Sequence, residues 1–124
     1  MTEAETRKER LDELRREVVR DHIERAREAM RRGDWERADA LLERAHIVGQ
    51  PSAVDHVRAH LWMLVCGWKQ RDGREIVGQL WRLLVAGPAS LTGRYPRGNT
   101  GRANVSAFVP MPIPSDLREL LDAA

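Results

Sequence analysis

Residues 33–68, GDWERADALLERAHIVGQPSAVDHVRAHLWMLVCGW, decide the fold of this 124-residue chain. Apolar side chains recur every three or four residues on both sides of a break at Gly49 and Pro51, which is the pattern of amphipathic helices. Asp34 and Ser52 precede the two patterned stretches, where their side chains are suited to cap free backbone N–H groups. Because the connecting turn is short, the segment predicts two antiparallel, neighbouring helices.

Further helices are predicted before and after this segment. Residues 1–32 carry an apolar stripe at helical spacing, although the first ten residues are so polar that we expect them to fray. Asp72 is an N-cap for a fourth helix, and Gly87 and Pro88 are expected to end it. The sequence therefore predicts two helix hairpins in tandem.

An internal repeat supports this arrangement. Shifting the chain by 38 positions places Asp34 on Asp72 and Gly49 on Gly87, the sign of a helical-repeat architecture. Residues 20–51 resemble a tetratricopeptide unit in the spacing of their small and apolar side chains. We interpret this as a similarity in helix packing and not as evidence for peptide binding.

The C-terminal part has a different composition. Residues 87–114 are rich in Gly, Pro, Asn and Ser, so no regular element is expected. Large apolar residues are nevertheless scattered through this part: Leu91, Tyr95, Val105, Phe108, Val109, Met111 and Ile113. A disordered linker would lack them, which predicts an ordered, extended tail wrapped over the helices. A short final helix follows, and residues 1–124 form a single all-α domain.

Composition limits the possible partners and location. The chain has 21 basic and 19 acidic residues and a net charge of +2, so we expect no nucleic acid partner. The single cysteine, Cys66, excludes an intramolecular disulfide. No apolar run is long enough for a membrane span and the N-terminus has no apolar signal segment, so we expect a cytoplasmic protein without a membrane partner. The wide apolar arc of the fourth helix, from Val77 to Val85, predicts a homodimer or another protein partner.

Three of the four histidines are predicted to lie together at one end of the central hairpin. His56 and His60 are four residues apart and share a helix face, and His46 lies one turn before the preceding helix ends. Imidazole is the commonest protein ligand for Zn, Cu, Ni, Co and Fe, so this cluster predicts a transition-metal site. Glu43, three residues before His46, is a candidate fourth ligand. The remaining histidine, His22, is predicted to fill a packing position.

Three functions are compatible with this cluster. The leading hypothesis is binding of one metal ion for sensing, buffering or delivery. The second is a metal-dependent enzyme that uses the same site, with Glu43 as ligand or base and the tail as a lid. The third is a helical-repeat interaction module without metal, in which the histidines are ordinary packing residues. A substrate-sized pocket beside the histidines would favour the enzyme. The sequence itself contains no recognisable nucleophile–base motif.

Polar residues of the tail suggest a second, weaker site. Arg97, Asn99, Arg102 and Asn104 lie among glycines, an arrangement that could bind an anion or a substrate. The glycine spacing matches no phosphate-binding fingerprint, and no strand precedes it. The favoured interpretation is therefore structural, with these side chains hydrogen-bonding helix ends and holding the tail in place.

Two stretches resemble a known family. ERAHIVGQP at 43–51, followed by the histidine pair and GRYPRGNTGRANVSAFVPMPIPSDL at 93–117, is similar to the small bacterial family catalogued as domain of unknown function 3703. The resemblance covers roughly residues 20–121 and implies that the three clustered histidines and the segment 98–104 are family features. Because family members often lie beside genes for heavy-metal efflux, it also implies a role in metal homeostasis. It implies no particular activity.

Overall fold

The computed structural model of the protein describes residues 1–122, which contain five α-helices and no strand. The elements are α1 (Glu3–Arg31), α2 (Trp35–Gly49), α3 (Ala53–Lys69), α4 (Gly73–Thr92), a 3-10 turn (Ser115–Leu117) and α5 (Arg118–Leu121). Helix α1 pairs with α2, α3 pairs with α4, and α2 packs on α3 to join the two hairpins. The predicted all-α fold of tandem hairpins is confirmed.

Side-chain caps fix where the long helices begin. Thr2 forms a complete capping box at the start of α1, so the chain is helical from Glu3 and fraying of the first ten residues stays a prediction. Asp34 and Asp72, which are equivalent in the repeat, cap the second helix of each hairpin through the N–H three residues on. Ser52 caps α3 in the same way. The short connections follow directly from these caps.

The hydrophobic core lies between α1, α2 and α3 and is closed at one end by α5. Ala26, Ala38 and Ala45 are completely buried, and their small side chains allow the helices to approach closely. Leu117 and Leu121 cover this core from the C-terminal end. Cys66 is also buried in the core, where burial and the neighbouring carboxylate of Asp39 raise the pKa of its thiol to about 12.

Helix α4 extends five residues beyond its predicted end. Gly87 and Pro88 were expected to end it, but both lie inside the helix, which continues to Thr92. A proline removes one helical hydrogen bond, yet the next turn is held by the Thr92 hydroxyl, which donates to the Pro88 carbonyl at 2.7 Å. The helix ends instead at Gly93, whose φ of +70° gives a left-handed C-cap.

The irregular tail therefore begins at Gly93 and runs to Pro114. It turns sharply at Gly98 and Gly101, which both have positive φ. It lies across α4, where Ala103 packs so closely on Gly78 that no larger residue would fit there. The tail is thus irregular, as predicted for most of its length, whereas residues 87–92 are helical.

Large apolar side chains of α4 and the tail face solvent. Most of the surface of Val77, Leu84, Leu91 and Phe108 is exposed, at 69%, 73%, 81% and 75% respectively. The apolar residues of the tail were expected to pack on the helices, but Leu91 belongs to α4 itself and Phe108 is mostly exposed. Among residues 1–122, no helix has the length and apolar character needed to cross a membrane.

Candidate metal centre

His46, His56 and His60 converge at the junction of α2 and α3. His46 Nε2 lies 3.1 Å from His56 Nε2 and 3.0 Å from His60 Nε2. The three side chains are almost completely buried, with exposed fractions of 2%, 4% and 3%. The sequence prediction that three imidazoles meet at this turn agrees with the structure, and their ligand atoms all lie within 4.8 Å of one another.

Each ring is held from behind by a hydrogen bond at Nδ1. The Nδ1 of His46 bonds to the backbone carbonyl of Asn99 at 2.7 Å. The Nδ1 of His60 bonds to the side-chain oxygen of Gln79 at 2.6 Å, and the Nδ1 of His56 bonds to the Ser90 hydroxyl at 2.8 Å. Thus α4 and the tail both contribute to positioning rings that α2 and α3 carry.

The partners fix the tautomer of all three rings. The Asn99 carbonyl can only accept a hydrogen bond. The Gln79 amide donates to Glu75 and to the Gly101 carbonyl, which leaves its oxygen for His60. The Ser90 hydroxyl donates to the Gln50 carbonyl at 2.6 Å, so its lone pair faces His56. Each neutral ring therefore carries its proton on Nδ1 and presents a lone pair at Nε2.

Burial keeps these rings neutral. Desolvation lowers the pKa of His56 to about 3 and that of His60 to about 4. It lowers the pKa of His46 well below its usual value, with the two neighbouring histidines adding to the effect. Three lone pairs thus point at one another with no proton between them, an arrangement that a cation would satisfy.

Two of the three nitrogen separations suit a tetrahedral ion. Zinc binds imidazole nitrogen at about 2.0–2.1 Å, which places two ligands of a tetrahedron about 3.3 Å apart. The two contacts made by His46 Nε2, at 3.1 and 3.0 Å, are within a few tenths of an ångström of that value. The cluster is geometrically able to hold a metal ion.

Glu43, the fourth candidate ligand, lies in a neighbouring ionic network. Its carboxylate pairs with Arg102 at 3.2 Å, and Arg102 also pairs with Glu75 at 3.0 Å and Asp39 at 3.4 Å. The structure therefore places Glu43 outside the group of three ligands. Glu75 is connected to His60 only through Gln79.

The fourth histidine, His22, is separate from the cluster. Its Nδ1 bonds to the Val18 carbonyl at 2.9 Å, and its Nε2 accepts a hydrogen bond from Arg44 at 3.2 Å. Both ring nitrogens are thus occupied by protein groups. This is the packing position that the sequence predicted for His22.

The polar residues of the tail make internal contacts. Asn99 is 2% exposed and donates to the carbonyls of Ser106 and Val109, which stabilises the turn that presents its own carbonyl to His46. Arg97 bonds to the Leu121 carbonyl at 3.1 Å and so ties the tail to the end of α5. Arg102 lies in the network above, and Asn104 is exposed.

A cavity of about 380 Å³ adjoins the open side of the histidine cluster. This volume falls within the range of small-molecule sites. Its walls come from α2, α3, α4 and the tail, and they include His46, His56, His60, Arg82, Val85, Ala89, Tyr95 and Phe108. A metal held by the three histidines would thus have an open coordination position facing this cavity.

Sequence reasoning missed the contribution of α4 to the site. The buried residues of this helix are Glu75, Gln79, Arg82 and Ala86, and three of the four are polar. These residues are three or four positions apart and so lie on one face of a helix whose other faces are mostly apolar. This polar stripe was the sequence feature that could have revealed the contribution of α4. Such a stripe indicates a buried polar site when the remaining faces are apolar.

One family model matches the chain. It spans residues 13–121 and is described as protein of unknown function (DUF3703). Neither the curated proteins nor the solved structures contain a significant match to this chain.

Proposed function

The chain belongs to the DUF3703 family, and from this premise we propose that it binds one transition-metal ion through the Nε2 atoms of His46, His56 and His60. One observation carries the proposal. The three imidazoles face one another with their ligand atoms all within 4.8 Å, while every Nδ1 is committed to a hydrogen bond on the outside. Metal-binding histidines in proteins are oriented in the same manner by their second nitrogen.

The donor set limits the choice of metal. Three neutral imidazoles suit Zn, Cu, Ni, Co and Fe, whereas Mg and Ca prefer oxygen ligands. Structural zinc sites usually have four protein ligands, and sites with three keep a position for an exogenous ligand. An ion at this centre would therefore exchange ligands through the cavity. That property suits sensing, buffering or delivery in metal homeostasis.

Calorimetric titration tests the proposal. Zn, Ni, Co and Cu would each be added to metal-free, untagged protein, and we expect one ion per chain with a Kd below about 10 μM. His56→Ala and His60→Ala should abolish this binding, and His46→Ala should at least weaken it. His22→Ala is the matched control, since it removes a buried histidine outside the cluster and should leave stoichiometry and affinity unchanged.

The same titration can reject the proposal. Binding no tighter than about 10 μM for every ion, or equal affinity of wild type and His56→Ala, would exclude a metal site at these residues. The function without metal, a helical interaction module, would then take its place.

A metal-dependent enzyme is the second candidate, and the cavity beside the histidines favours it. A metal-bound water facing a cavity of about 380 Å³ is a potential nucleophile near neutral pH. Glu43 is not supported as its base, because the carboxylate is paired with Arg102. The measurement is hydrolysis of nitrophenyl acetate by the zinc-loaded protein, and equal rates for wild type and His56→Ala would exclude catalysis of this kind.

A further inference from the structure

Arg82 is a buried cation that forms no ion pair with a carboxylate of residues 1–122. Only 8% of its surface is exposed. Its Nη1 donates to the Gly78 carbonyl at 3.1 Å and its Nη2 to the Val105 carbonyl at 2.9 Å. Its Nε has no hydrogen-bond partner among residues 1–122. A buried guanidinium with a free N–H is costly unless a ligand accepts that hydrogen bond.

Glu75 acts electrostatically on Arg82 but does not line the cavity. Arg82 and Arg94 line the cavity together with the three histidines, and no Asp or Glu side chain of the described residues belongs to its walls. A divalent ion on three neutral imidazoles would add two further positive charges next to Arg82. Because uncompensated buried charge is strongly unfavourable, the occupied site calls for an anion as the remaining ligand.

The donor geometry favours a carboxylate over phosphate. One oxygen of a carboxylate would fill the remaining metal position, and the other would pair with the guanidinium of Arg82, which lines the cavity. Phosphate has two further oxygens that need donors, and besides Arg82 the cationic side chain of the described residues in the cavity walls is the exposed Arg94. Burying these oxygens without hydrogen-bond donors would cost more free energy than one additional contact would contribute.

The remaining wall of the cavity is apolar. Val85, Ala86 and Ala89 form one side on α4, and Phe108 and Pro110 form the other side on the tail. We propose that this cavity binds a small carboxylate with an apolar body, held between Arg82 and the metal. The inference rests on the proposed metal binding and adds the ligand class of that site.

Cobalt tests metal binding and carboxylate binding separately, through the appearance of its absorption bands and through their shift. Co²⁺ binding to metal-free protein produces visible absorption bands, and a new ligand on the ion shifts them. We expect benzoate and acetate to shift the bands saturably, with benzoate binding at least about tenfold more tightly because its ring contacts the apolar wall. Inorganic phosphate should cause no saturable shift.

Variants identify the groups responsible. Arg82→Met should weaken benzoate binding about 10- to 100-fold, because it removes the charged hydrogen bond, while Co²⁺ affinity is retained. Ala89→Phe fills the apolar part and should abolish the preference for benzoate without affecting acetate, which tests the site even if Arg82→Met does not fold. Arg74→Met removes an exposed arginine of the same helix that does not line the cavity, so it is the matched control and should leave benzoate affinity within about threefold.

The outcomes separate the two proposals. Absence of cobalt bands, together with no binding of Zn, Ni or Cu in the calorimetric titration, contradicts metal binding and the carboxylate site together. Cobalt bands that no carboxylate shifts contradict the carboxylate site alone, as does a shift caused by phosphate but not benzoate. Benzoate affinity that is unchanged in both Arg82→Met and Ala89→Phe also overturns the inference, while metal binding stands.

Discussion

His60 donates its Nδ1–H to the side-chain oxygen of Gln79 across 2.6 Å, and Gln79 is completely buried. The Gln79 amide is itself fixed, because it donates to Glu75 at 2.7 Å and to the Gly101 carbonyl at 2.8 Å. Gln79 thus joins His60 on α3 to the Glu75 carboxylate on α4 and to the tail. The orientation of the His60 ring is therefore set by three parts of the chain.

Replacing Gln79 should weaken metal binding without removing it. Gln79→Met keeps the size of the side chain but loses the acceptor for His60. Loss of such an outer partner typically lowers metal affinity about 10- to 100-fold, and we expect that decrease with one ion still bound per chain. Calorimetric titration of zinc into both proteins measures the change.

Gln50→Met is the control for this substitution. Gln50 is 1% exposed and donates to the Pro96 carbonyl at 2.9 Å, but its side chain bonds to none of the histidines. Both variants remove a buried amide, so both should lower stability, whereas only Gln79→Met should lower affinity. An equal loss of affinity in the two variants would indicate a general effect of destabilisation.

The parts of the site that could be predicted from the sequence depend on local rules. Asp34, Ser52 and Asp72 define helix starts through contacts within four residues, and the turn at Gly49 is short. These features place His46 close to the pair on α3 without any knowledge of the rest of the fold. A histidine pair at i and i+4 shares a helix face wherever that helix lies.

The parts that could not be predicted depend on contacts between distant segments. The end of α4 was misplaced because Gly87 and Pro88 are stop signals by local rules, whereas the following turn is stabilised by contacts such as that of Ser90 with the Gln50 carbonyl. Helix α4 also turns its polar stripe inward, so its apolar arc does not mark the core side. The role of Glu43 depends on Arg102, which lies 59 positions later.

Gly101 is expected to be essential for the contact between the tail and the histidine cluster. Its φ is +81°, and a Cβ at this position would lie 2.6–2.7 Å from ring atoms of His46. Gly101→Ala should therefore displace either the ring or the Asn99 carbonyl that orients it. We expect a loss of at least about 2 kcal/mol in the free energy of unfolding and weaker zinc binding, measured by urea unfolding and calorimetry.

Gly93→Ala separates backbone strain from this close contact. Gly93 has a φ of +70°, but a Cβ there would meet nothing within 4 Å. The substitution should cost only about 1–2 kcal/mol for the left-handed conformation and leave zinc affinity unchanged. If the two variants bind zinc equally well, the packing of the tail on His46 has no role in the site.

Self-association through α4 is the third prediction. Val77, Leu80, Trp81 and Leu84 are all at least half exposed. Between residues 76 and 92 the only charged residue is Arg82, which points inward. An uncharged apolar face suits a two-fold contact with a second copy of the chain, so light scattering at tens of micromolar should give twice the chain mass of 14.2 kDa.

A charge on this face should abolish the dimer. Leu84→Glu places a carboxylate at the centre of the face, and we expect the mass of a single chain. Val54→Glu is the control, because Val54 is 65% exposed but lies at the start of α3. A monomeric wild type, or dissociation by both substitutions, would contradict an interface on α4.

Acid sensitivity of the metal-free protein is the fourth prediction. Burial lowers the pKa of His56 to about 3 and of His60 to about 4, and it lowers the pKa values of His46 and His22 as well. In the unfolded chain these histidines titrate near 6.5. The unfolded state therefore binds protons first as the pH falls. Stability should be complete above about pH 6.5 and should decrease below it, by up to about 1.4 kcal/mol per pH unit for each histidine.

Urea unfolding between pH 7.5 and 5, in the presence of a chelator, measures this decrease before most carboxylates titrate. His56→Ala should reduce the change in unfolding free energy per pH unit by the equivalent of one bound proton. The substitution removes one ring that is neutral in the folded state and charged in the unfolded state. His22→Ala should also reduce this change, because burial lowers the pKa of that ring too. Zinc at saturation should stabilise wild type and His22→Ala but not His56→Ala, because binding to the folded state adds to its stability. If the stability of the metal-free wild type does not change between pH 7.5 and 5, the three rings already carry a proton in the folded state. Their Nε2 lone pairs would then not be free to bind an ion.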